Sequence, residues 1–183
     1  MLKETNMGKE KFEEFLKQVD TQNDQVNWEE RKQYFIEKVD EFYSIIDGYL
    51  KPYRDKIKIQ DNKITIYEDK LGSYEVKKRN VIIKDNIVEF IPVGTNLIGA
   101  WGRIDMEGSG GSVKFVLVPK DSIAPKIKVK ILLTDEDKKI KKETDTAKNI
   151  KKVWKIATPP PNIKYLDLDE DIFFDKLMEV IDG

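Results

Sequence analysis

The hydrophobic pattern changes period at Pro52, and that change limits the fold more than any other feature of the chain. Before it, Trp28, Phe35, Val39, Phe42, Ile46 and Tyr49 recur at spacings of three, four or seven residues. This is the signature of a long amphipathic helix with one apolar stripe, which predicts core packing for that stripe. Asn27 stands three residues before Glu30, as in a capping box, and marks the start. Pro52 marks the end, because a residue preceding proline is pushed out of the helical region. An earlier helix is predicted over 9–19, where Phe12, Phe15, Leu16 and Val19 share helical spacing.

Beyond Pro52 apolar and polar residues alternate, the period of half-buried strands. IKIQDNKITIY predicts a hairpin turning at Asp61-Asn62, and VIIKDNIVEFIP one turning at Asp85-Asn86. Further strands are predicted over 74–77, 97–106, 113–118 and 127–133, giving a largely antiparallel sheet. Residues 134–152 are almost entirely charged or polar and predict a solvated helix or an insertion. Residues 154–157 read as a return strand, and the three prolines at 159–161 as an extended run. Ile172, Phe173, Leu177, Val180 and Ile181 form the apolar face of a short C-terminal helix capped by Asp169. The expectation is one α+β domain over 1–183: a helical part over 1–52, a sheet over 56–133, the charged stretch over 134–152, and a return strand and helix over 153–183.

Histidine and cysteine are both absent, which removes disulfides, thiolate nucleophiles, Ser-His pairs and Cys/His zinc sites. Catalysis would have to use carboxylates, Lys, Arg, Tyr or an oxygen-ligated metal. Thirty-three basic residues nearly cancel thirty-four acidic ones, so no overall field draws the chain to nucleic acid. No window approaches the roughly 20 apolar residues of a membrane span, and no secretory signal is visible. A cytoplasmic protein with neither membrane attachment nor cofactor is expected.

WGRIDMEGSGGSVKF is the stretch with the most chemistry in it. It lacks the Gly-x4-Gly-Lys-Ser/Thr spacing of a phosphate loop and runs into a strand rather than a helix. If 97–106 is extended, Trp101, Arg103 and Asp105 share one face, and Lys114 joins them from the next strand. An acid facing a lysine across a hairpin resembles the core of the PD-(D/E)xK nucleases. In this chain Ser112 stands two residues before the lysine, where that pattern has an acid. Glu89 or Glu107 would have to supply the second carboxylate. The resemblance implies a metal-dependent nuclease or phosphodiesterase using Asp105, Lys114 and Glu89.

The alternating acids Asp167, Asp169 and Asp171 imitate the start of a calcium-binding EF-hand loop. Ile172 and Met178 then occupy the positions of its glycine and its last glutamate, so a helix cap explains the cluster better. The favoured expectation is a non-catalytic module that binds another protein, in the manner of an immunity protein or antitoxin. Its predicted contacts are Trp101, Arg103, Asp105 and Glu107, with Asp169, Glu170 and Asp171 in the acidic tail.

Overall fold

The computed structural model describes residues 27–95, 97, 99–125 and 150–182. The helix expected over 9–19, the strand over 127–133 and nearly all of 134–152 lie outside the described residues. Helix α1 (Trp28–Leu50) leads through a 3-10 turn (Lys51–Tyr53) into β1 (Ile57–Glu68), β2 (Gly72–Ile83), β3 (Asn86–Gly94), β4 (Arg103–Gly108), β5 (Gly111–Pro119), β6 (Lys152–Ala157) and β7 (Tyr165–Asp167). Helix α2 (Glu170–Asp182) follows. The seven strands form one antiparallel sheet in chain order, and the protein has an α+β architecture. None of its described helices is long and apolar enough to cross a membrane.

Helix α1 begins where the sequence places it: Glu30 donates its backbone N–H to Asn27 Oδ1 at 3.1 Å. Its stripe is the centre of the core. Phe42 is fully buried against Phe115, Trp154 and Phe90, with ring centroids 4.9, 5.3 and 6.1 Å away. Trp154 Nε1 donates to the Lys38 carbonyl at 2.8 Å, fastening the helix to β6. Helix α2 packs on the same side of the sheet, with Phe173 stacked on Phe90 and tilted against Tyr49. Ile172 donates its backbone N–H to Asp169 Oδ1 at 2.8 Å, the expected cap.

The expected turn at Asp61-Asn62 is not there: β1 runs straight through it, paired with β2 from Ile57↔Ile83 to Glu68↔Gly72. The buried parity changes along this unbroken ribbon. Val81 and Arg79 point to the helix side, whereas Val76 and Tyr74 are buried on the opposite parity. In β1 the partly buried Ile57 and Ile59 likewise give way to Ile64 and Ile66, across an exposed stretch from Gln60 to Lys63. A phase slip across polar residues has the same sequence pattern as a turn, and neither Asp61 nor Asn62 is followed by the glycine that a two-residue turn favours. The real turn follows Glu68, where Lys70 and Gly72 adopt φ of 71° and 70°. The expected turn at Asp85 is present, joining β2 to β3.

The prolines at 159–161 also depart from expectation, since the Pro160–Pro161 bond is cis and residues 160–162 bend. The glycine-rich turn between β4 and β5 has a packing role. Gly110 N–H and Ser109 Oγ donate to the carbonyls of Val180 and Ile181, each at 2.8 Å, so the turn takes up carbonyls that the end of α2 leaves unpaired. A Cβ on Gly108 would lie 2.2 Å from the Val180 oxygen, so only glycine permits this approach.

Candidate functional site

The strand expected over 97–106 starts only at Arg103, and the reason decides where Trp101 goes. Trp101 N–H donates to the Leu117 carbonyl at 2.8 Å while Leu117 N–H donates to Gly102 at 2.9 Å. Two residues thus oppose one, a bulge that breaks the alternation. Trp101 packs with the main core on the helix side, where Lys152 and Arg31 approach its ring. It does not share a face with Arg103 and Asp105.

Those two residues do lie together, on the sheet face that carries neither α1 nor α2. Arg103 Nη2 donates to Asp105 Oδ2 at 3.0 Å, and Nε approaches Oδ1 at 2.8 Å as an ion pair, off the line of a hydrogen bond. Lys114 is directly opposite Asp105 in the register, so the expected acid–lysine hairpin exists. Glu107 is directly opposite Glu89, two like charges where a sheet disfavours them. Lys78 Nζ holds Glu89 at 2.6 Å, and Glu107 is exposed. Among the described residues no three carboxylates converge on a metal-sized space. The acidic tail is elsewhere: Asp169, Glu170 and Asp171 open α2, on the helix-bearing side. The predicted contact residues therefore fall on both sides of the sheet.

A second polar cluster lies where α1 crosses the ends of β5 and β6. A cleft of about 400 Å3 opens there, lined by Arg31, Ala100, Trp101, Pro119, Ser122 and Ala124. Lys152, paired with Pro119 in the register, is only 9% exposed. Its ammonium sits 3.9 Å from the centre of the Trp101 ring and 5.5 Å from that of Tyr34. Burial, with Lys38 nearby, pulls its pKa below the ordinary lysine range. Arg31 also approaches Trp101, at 5.3 Å, and donates from Nη2 to the Thr95 carbonyl at 2.7 Å, while its Nε is buried without a partner. Burial lowers the pKa of Arg31 and the nearby Glu68 charge offsets part of that.

Glu68 is itself buried. It accepts Thr95 N–H at 2.9 Å to each carboxylate oxygen, Thr95 Oγ1 at 3.2 Å, and the Tyr74 hydroxyl. A Cβ on Gly94 would lie 2.8 Å from this carboxylate, so glycine at φ +134° allows the close approach. No local pattern announces this cluster. Arg31 reads as one more charge on an amphipathic helix, and Lys152 as the end of a lysine-rich run. No family model matches this chain, and no curated protein or solved structure matches it either.

Proposed function

We propose that this is a non-catalytic cytoplasmic protein that binds another protein through the sheet face that carries neither α1 nor α2. The observation that carries the reading is the Glu89–Glu107 opposition beside the fixed Arg103–Asp105 pair. Opposed like charges cost sheet stability, and a partner that brings a basic group to Glu107 would relieve that cost. Strands hold these charges in fixed register, which suits a rigid inhibitor such as an immunity protein or antitoxin covering a partner's active site. Trp101 and the acidic tail are not part of this surface.

Glu107→Gln separates fold from function. It should raise the melting temperature slightly while weakening the complex at least tenfold. The test is affinity capture from the source cell's lysate with both proteins at moderate salt. A stoichiometric protein held by the wild type and lost by the variant supports the reading; equal retention by both overturns it.

A second reading rests on the register of Asp105 opposite Lys114: a metal-dependent phosphodiesterase assisted by Glu89. A metal would have to displace Arg103 from Asp105. Binding of Mg²⁺ or Mn²⁺ should then raise the melting temperature of the wild type but not of Asp105→Asn, with cleavage of DNA or RNA only in the wild type.

A further inference from the structure

A strand at the edge of a sheet turns a row of backbone N–H and C=O groups outward, and folded proteins shorten, cover or interrupt such edges. The sheet runs from β1 to β7, so these two strands are its edges. β7 has three residues, and its Tyr165 N–H already donates to the Ile123 carbonyl at 2.9 Å. β1 has twelve residues and no proline, and β2 is its only strand partner among the described residues. Its outer row is apolar in part: Tyr67 is 75% exposed, and Ile57 and Ile59 are half-buried.

We propose that β1 pairs antiparallel with β1 of a second copy of this chain, about a two-fold axis through Asn62. Such an axis stands normal to the sheet and preserves its faces, so it opposes odd residues only with odd and even only with even. With the axis at Asn62, Asp61 faces the second copy's Lys63, Ile59 its Thr65, and Ile57 its Tyr67. Opposite charges, and a β-branched residue against an aromatic, are favoured cross-strand pairs. An ion chain would then run from Arg79 through Asp61 to the second copy's Lys63 and Glu75. It joins two pairs that already stand at 2.7 Å, Arg79 to Asp61, and at 2.9 Å, Lys63 to Glu75. Moving the axis one residue either way sets Asp61 against Asp61 or Lys63 against Lys63, so charge selects the register.

The pairing also accounts for the pattern that reads as a hairpin. IKIQDNKITIY, residues 57–67, complements itself about its polar centre, and Asn62 is its midpoint. Because β1 runs straight, that complementarity is left for another molecule, over about 35 Å of strand. The edge uses neither Glu107 nor Arg103, so the proposal stands or falls independently of the protein-binding reading.

The chain has no cysteine, so a single introduced thiol reports the register. The two Asn62 would lie directly opposite, with Cα atoms about 4.5–5.5 Å apart and within disulfide reach. The two Gln60 would be offset by about 14 Å, beyond it. Asn62→Cys should therefore oxidise to a covalent dimer about tenfold faster than Gln60→Cys. Sedimentation velocity of the wild type should show reversible dimers at about 100 µM chain. Lys63→Glu changes a side chain that is 77% exposed and brings two acids together across the junction. With its circular dichroism spectrum unchanged, it should weaken the dimer about tenfold and slow the Asn62→Cys crosslink to the Gln60→Cys rate. A wild type that stays monomeric at that concentration, equal crosslinking of the two thiols, or a dimer indifferent to Lys63→Glu would overturn the proposal.

Discussion

Arg79 and Lys152 both lie against aromatic rings on the helix side of the sheet, and their surroundings differ. Arg79 sits 4.5 Å over Tyr43 with Asp61 gripping it at 2.7 and 2.8 Å and Asp47 at 3.0 Å. Burial alone would lower its pKa, but the Asp61 and Asp47 carboxylates outweigh that and hold it above the ordinary value. Lys152 sits 3.9 Å over Trp101 with no carboxylate partner among the described residues, and its pKa falls. Ring contacts are common to both. What separates the two is the supply of counter-charge: carboxylates hold Arg79, and Lys152 has ring faces alone among the described residues.

The hardest test of the comparison is to take counter-charge from the first cation. Asp61→Ala leaves Arg79 with Asp47 as its remaining carboxylate and should cost about 1–3 kcal/mol in urea unfolding, since the buried guanidinium loses its two-point hydrogen bond to a more exposed partner. The same pair gives an acid-dependent component. Hydrogen bonds from Arg79 hold the Asp61 pKa below the usual carboxylate range, so its stabilising contribution is complete above that range. It is lost as pH falls through the lowered value, because the unfolded chain takes up the proton first. Asp61→Asn should flatten the decline of melting temperature with acid, and an unchanged decline would show that other groups carry it.

Removing the second cation should have the opposite sign. Lys152→Met deletes an uncompensated charge and keeps the packing, and should raise stability by about 1 kcal/mol at neutral pH. The lowered lysine pKa means that the folded chain sheds its proton before the unfolded chain does. The wild type therefore gains stability as pH rises from the folded value toward the ordinary lysine range, and the gap to Lys152→Met should close there. A variant less stable than the wild type at neutral pH would show that the cation–π contacts repay the burial, and the contrast with Arg79 would disappear.

What the sequence shows of this molecule follows the range over which each signal acts. The two helices, the Asp85 hairpin and the Asp105–Lys114 hairpin depend on residues close in sequence, and each is legible as period or turn chemistry. The Asp61 region misleads because alternation records which side is buried, not whether the strand continues. A ribbon that changes its buried side looks like two strands. The bulge at Trp101 and Gly102 displaced a predicted contact for a related reason, since one extra residue transfers a side chain to the other face. The Lys152 cluster is illegible because its members come from α1, the 99–101 loop and β6. Nothing in a linear pattern says that Arg31 and Lys152 meet at one indole ring.

The turn that takes up the last carbonyls of α2 also sets an order of events. A β4–β5 hairpin closes from neighbouring residues and can form early, whereas the carbonyl that Ser109 receives belongs to a residue 72 positions later. During synthesis the residues of the hairpin therefore leave the ribosome several seconds, at about 5–20 residues per second, before the helix that completes its tip has been made.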